Sequence, residues 1–311
     1  SIRKIEVITN PGPKYDAEGV GGILNIVTVG KGLEGYTANF NGWAAKFSYG
    51  GSVYSTIKKD KLTMSARYNY NYSPLPESHN DGDRIFTGDP STPSASNATS
   101  RATSKTYENF HSGNFEASYD IDTLRLVTAS IGISNSHNST HSTNVLNATS
   151  PLDGSQLYTY KQMGRSKENT FFLNGSFDYQ RLFHVKERML TFSYRISTSP
   201  YSVNETDDYK DREAADDWTD FINLARNQFT DAHTRSTEHT FQIDYTTPIG
   251  KAHTIETGVK YILRDNRANS DRYLQKADAT DYLFDDDNSM HYRHRNDILA
   301  AYTGYGPKLG K

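Results

Sequence analysis

The stretch Leu62-Thr63-Met64-Ser65-Ala66-Arg67-Tyr68-Asn69-Tyr70-Asn71-Tyr72-Ser73 decides the fold. Leu62, Met64, Ala66, Tyr68, Tyr70 and Tyr72 occupy every second position, and Thr63, Ser65, Arg67, Asn69, Asn71 and Ser73 fill the gaps. Successive side chains of a strand point to opposite faces, so this period of two describes a ribbon with one apolar side and one wet side. The same period recurs at 171–180 (Phe171, Leu173, Phe177, Tyr179), 190–197 (Leu190, Phe192, Tyr194, Ile196), 241–249 (Phe241, Ile243, Tyr245) and 255–263 (Ile255, Val259, Tyr261, Leu263). Arg67, Asp178, Arg195, Asp244, Glu256 and Lys260 all fall on the wet side.

Short turns separate these ribbons at nearly even intervals: Lys58-Lys59-Asp60-Lys61, Asp120-Ile121-Asp122-Thr123, His184-Val185-Lys186-Glu187 and Thr247-Pro248-Ile249-Gly250, with Gly306-Pro307-Lys308-Leu309 as a fifth. Ten strands are predicted, at 35–47, 48–58, 62–73, 105–119, 124–138, 166–183, 188–204, 236–249, 252–270 and 294–306. Long polar loops are expected at 74–104, 139–165, 205–235 and 271–293, the third carrying a short helix near Asp216–Leu224. Short turns at one end and long connections at the other predict an all-β fold: part of an antiparallel up-and-down transmembrane β-barrel. Its apolar sides would face lipid and its polar sides a wet lumen. A soluble sandwich also alternates, because its outer face is wet. Strand length separates the two, since ordinary globular strands run about 5–6 residues. Charge placement agrees, because Arg or Lys facing the bilayer midplane costs roughly 2–4 kcal/mol.

Composition narrows the partners. A net charge of -3 and a pI near 6.4 give no basic surface for nucleic acid. No run approaches the roughly 20 apolar residues of a spanning helix, a test that a barrel escapes. The 22 Tyr and 14 Phe suit aromatic girdles at the membrane interfaces. Cysteine is absent, which excludes a disulfide-stapled scaffold. Ser1-Ile2-Arg3-Lys4 opens without Met or an apolar leader, so an internal piece of a longer protein is expected. Ten strands would leave two unpaired edges that recruit another copy or the rest of an assembly.

The first 30 residues differ in style. Ile5-Glu6-Val7-Ile8 is a short strand, Asn10-Pro11-Gly12-Pro13 breaks it, and Gly19-Val20-Gly21-Gly22 leads into the apolar run Ile23-Leu24-Asn25-Ile26-Val27-Thr28. With Tyr15-Asp16, these residues resemble the end of the plug domain of TonB-dependent outer-membrane receptors, in the Bacteroidetes style of outer membrane beta-barrel relatives. The resemblance implies a plug end at 1–30, with Gly19, Gly21, Gly22 and Asn25 as its motif, and the first part of a barrel at 31–311. It further implies a bacterial outer-membrane location, surrounding lipid, energy from TonB, a small scarce nutrient as ligand and a surface lipoprotein as a possible partner. Tyr158, Tyr160, Trp218, Tyr273 and Tyr282 are the aromatic loop residues expected to contact that ligand.

Catalytic chemistry finds no footing. Neither a Gly-x-Ser-x-Gly elbow nor a P-loop is present, and no cofactor is expected. Asp281, Asp285, Asp286 and Asp287 lack the glycine and final Glu of a calcium loop. His137 and His141 are expected near a strand end, where a spacing of four does not bring side chains together, so no metal is expected there. A receptor rather than an enzyme is therefore expected, with a soluble glycan-binding β-domain as the alternative.

Overall fold

The computed structural model describes residues 2–8, 23–28, 34–250, 252–275 and 281–307. Near the start, β1 (Ile2–Ile8) and β2 (Ile23–Thr28) pair antiparallel, with Val7 opposite Leu24 and Asn25 opposite Glu6. Gly19, Gly21 and Gly22 lie outside the described residues.

A 12-stranded antiparallel sheet follows. It begins with β3 (Gly35–Ala44), β4 (Tyr49–Lys59), β5 (Leu62–Pro74) and β6 (Ser78–Arg84). The tall strands are β7 (Asn97–Asp120), β8 (Arg125–Thr149), β9 (Gln156–Leu182), β10 (Met189–Ala214), β11 (Gln228–Ile249) and β12 (His253–Gln275). β13 (Tyr282–Phe284) and β14 (Met290–Pro307) complete the sheet. β5 and β6 share the flank of β7, and β13 and β14 share the flank of β12, so the 12 strands fill ten places in simple up-and-down order. These places coincide with the ten predicted strands.

Tight turns close one end. Lys59 pairs with Leu62, leaving Asp60 and Lys61 to reverse the chain, with Asp60 at φ 50°. Gly250, at φ 62°, serves the turn between β11 and β12, where a residue without Cβ reaches positive φ without strain. At Asp122–Arg125 the carboxylate caps the backbone amides of Leu124 and Arg125 at 2.9 Å and pairs with the guanidinium. The turn expected at 306–309 runs past Pro307, beyond the described residues.

The long loops are much shorter than expected. Residues 139–165 are strand except for the turn between Thr149 and Gln156, and 205–235 are strand up to Ala214 and again from Gln228. About half of 74–104 is β6 and the upper part of β7, and within 271–293 β12 runs on to Gln275 and β14 begins at Met290. His137 and His141 consequently lie within β8, on one face, about 13 Å apart at roughly 3.3 Å per residue. The reason is physical. Above the membrane both faces are wet, so alternation of hydropathy disappears while the backbone ladder continues. The short helix does form, as a 3-10 turn at Asp216–Trp218 followed by α1 (Thr219–Ile222).

Register places the apolar side chains in one continuous belt. Leu62, Met64, Ala66, Tyr68 and Tyr70 face the same way as Ile57 and Val53 of β4 and Phe115 of β7. Around the sheet this belt gathers Ile131, Ile133, Phe177, Leu173, Phe192, Ile196, Ile243, Val259 and Leu299. Tyr36, Tyr119, Tyr179, Tyr245 and Tyr305 rim it near the tight turns. Cross-strand ring pairs such as Tyr194–Phe241, at 4.8 Å between centroids, each contribute about 0.5–1.5 kcal/mol. The belt is not packed against a second layer: Phe40 is 74% exposed and Leu299 73%. A sandwich would bury these rings and branched chains. Among the described residues no second layer covers this face, and the fold is an antiparallel, partial β-barrel whose greasy face meets lipid. Among the described residues no helix is long and apolar enough to cross a membrane.

Candidate functional site

The polar face forms the inner wall. Along it, Arg195 Nη1 donates to Asp178 Oδ1 at 2.9 Å, and Ser193 Oγ donates to the same oxygen at 2.6 Å. Glu238 accepts from Arg264 across β11 and β12. Tyr302 lies across Gly258, its strand neighbour, where an added Cβ would meet the ring at 2.5 Å. From there its hydroxyl reaches Asp244, and Gln242 Nε2 donates to Asp244 at 2.9 Å and to the Tyr302 oxygen at 2.9 Å. Arg67 stands over the Tyr54 ring at 5.3 Å. Charges of both signs are thus distributed along the wall, with Arg195–Asp178 and Arg264–Glu238 as ion pairs, and the surface suits water and polar solutes.

At the end opposite the tight turns, a small apolar cluster caps this wall. Ala98, Ala148, Tyr158 and Ile222 are buried together, with Leu146, Tyr160, Ala214 and Trp218 packed around them. Tyr158 continues the inner face of β9, and α1 folds onto it: the Tyr158 ring lies 5.2 Å from Trp218 and 4.8 Å from Phe221. Two ties hold the segment down. Arg212 Nη1 donates to the Ala225 carbonyl at 2.9 Å, and Asn227 bridges the backbone amide of Tyr209 and the Gln275 side chain. Burial pushes the Tyr160 and Tyr209 hydroxyls above the ordinary phenol range, so both remain neutral donors.

The expected contact residues therefore fall into two groups. Tyr158, Tyr160 and Trp218 meet in the cap, where Tyr158 is only 3% exposed and works as packing. Tyr273 and Tyr282 meet elsewhere, on the outer face of the upper wall, beside Phe229, Thr206 and Asp231 around an open hollow of about 300 Å³. Tyr273 packs on Phe229 at 5.9 Å and on Phe284 at 5.5 Å. Desolvation raises the Tyr282 phenol. Phe221, Tyr209, Asn227, Phe229 and Phe284 join these groups without having been expected from sequence. Phe221 had a usable signal, three residues beyond Trp218 in a stretch expected to be helical; the others gain partners only through register.

Of the acidic run, Asp285 accepts from Asn288 and faces Arg272 at 3.8 Å, while Asp286 and Asp287 lie in an exposed 3-10 turn. Among the described residues, no three His, Asp or Glu side chains gather as metal ligands.

Residues 181–311, from the end of β9 through β14, match the outer membrane protein beta-barrel family. The protein resides in the bacterial outer membrane. Its tight turns accordingly mark the periplasmic end and its tall strand extensions the cell exterior. No curated protein matches the chain.

Proposed function

We propose that this outer-membrane protein is part of a TonB-dependent receptor that imports a scarce small nutrient and catalyses no reaction. The observation that carries the proposal is the pairing of a broad, polar inner wall with an apolar hairpin, β1–β2, immediately before it. A wall of mixed charges suits a lumen occupied by a polar plug, and the hairpin carries residues that resemble a plug's closing strand. In this reading, residues 1–30 end the plug and 31–311 begin the barrel. The external rim captures the ligand, with Tyr160, Tyr273 and Tyr282 as contacts and Tyr158 and Trp218 shaping the cap. TonB then displaces the plug, and a surface lipoprotein shares in capture.

The test uses the full-length gene. Cells carrying it should take up the nutrient in a way that stops when the proton gradient is collapsed, and the purified protein should be closed in planar bilayers. A steady open conductance, with uptake indifferent to the gradient, would make it a passive pore and reject the receptor reading.

A further inference from the structure

We propose that Arg235, Arg267 and Arg293, on the lipid-facing wall of β11, β12 and β14, bind the phosphate of outer-leaflet lipid headgroups. Arg235 lies directly opposite Arg267, and Arg267 directly opposite Arg293. Directly opposed residues have Cβ atoms about 4.5–5.5 Å apart, and like charges there are unfavourable unless an anion sits between them. Asp265 supplies one, touching Arg267 at 3.0 Å and Arg293 at 3.1 Å. Among the described residues Arg235 contacts no carboxylate; its Nε donates to Thr237 Oγ1 at 3.3 Å. Of the nearby acids, Asp297 pairs with Arg295, while Asp231 and Asp271 contact His233 and His291 and stand four residues away along their strands from Arg235 and Arg267. Within contact distance, three guanidinium groups thus share one carboxylate.

Position identifies the second anion that this row of guanidinium groups meets. All three arginines project from the same face as the apolar belt, because Arg267 is four residues beyond Leu263 in β12. Four residues span about 13 Å along a strand, or about 10 Å of height at a barrel's tilt. The headgroup layer begins where the roughly 30 Å hydrocarbon core ends, and long arginine stems reach back towards it. A shallow hollow of about 330 Å³, lined by Phe171, Pro200, Arg235 and Arg267 among others, opens beside the row. Its apolar floor suits the top of an acyl chain beneath a phosphate. Arg267 and Arg293 keep 53% and 57% of their side-chain surface exposed, and guanidinium forks match phosphate oxygens. The inference rests on the outer-membrane location and not on the receptor reading.

The test takes the full-length protein in detergent, offers equal phosphatidylcholine and phosphatidic acid in mixed micelles, and counts retained lipids by native mass spectrometry. A preference of at least about fivefold for phosphatidic acid is expected. The triple variant R235Q/R267Q/R293Q should lose that preference, while Arg125→Gln, at a periplasmic turn, should keep it. Folding is checked by the heat-dependent gel shift of barrels. Should the triple variant not fold, Arg235→Gln carries the same comparison, since it orphans no carboxylate. Equal retention of both lipids by the wild type, an unchanged preference in the folded variant, or full displacement by excess inorganic phosphate would each overturn the proposal.

Discussion

Ile131 and Val145 stand on the same strand, on the same face and at nearly the same exposure, 42% and 43%. Their neighbours differ completely. Ile131 sits between Phe115 and Gly175, inside the apolar belt, whereas Val145 sits between Arg101 and Lys161. Solvent-exposed area alone therefore says nothing about the medium a side chain meets. Register, which reveals the lateral neighbours, tells lipid from water. One ribbon passes through two solvents, and only the lower part of it is written in alternating hydropathy.

The sharpest way to break this contrast is to place the same charge in both regions. Ile131→Arg should cost about 2–4 kcal/mol in unfolding from lipid vesicles, and Thr143→Arg, on the same face higher up, within about 0.5. Equal costs would mean that the belt is not where lipid lies. Next in size is the inner wall. Tyr302→Phe removes the hydroxyl that serves Asp244 and Gln242, and should cost about 1–2 kcal/mol by the same measurement. A neutral result would show that water replaces the phenol freely there.

The cap should respond locally. Tyr158→Ala should shift Trp218 emission to the red and speed proteolysis near 215–227, while the global unfolding midpoint stays in place. A large drop in that midpoint would tie the rim to the belt as one cooperative unit. Smallest of all is a pH effect above the belt. Arg267 and Arg293 hold the Asp265 carboxyl down at about 2. Because the folded value is lowered, its contribution is present above the ordinary unfolded value near 3.9 and is lost as pH falls through about 2. The stability difference between wild type and Asp265→Asn should be constant down to about pH 5 and should shrink below about pH 4. A difference that grows on acidification would contradict the pairing.

What the sequence made legible follows the same divide. All ten strand places were readable because lipid on one side and water on the other enforce a period of two, as in Leu62–Tyr72. Above the belt, stretches such as Asn138–Thr149 carry polar residues on both faces, so nothing in hydropathy separates a strand from a loop. The hydrogen-bonded ladder that orders them is set by their neighbours. The contact candidates suffered likewise: Tyr158 and Trp218 were recognisable as aromatics in a tall region, but their burial under α1 depends on a chain reversal that composition does not encode. The arginine row was invisible for a related reason, since Arg235, Arg267 and Arg293 are far apart in sequence and meet only once three strands are aligned.

Within the large sheet, the described register slips at two places, between Lys210 and Glu213 and between Ala148 and Thr149. Both flank the capping helix. From the periplasmic turns up to those points β8, β9 and β10 are unbroken staves, stiff along their length, so a solute docking outside has little means of flexing the wall below. Compliance is concentrated at the tips, and the rim can yield like the lip of a basket while the staves keep their spacing.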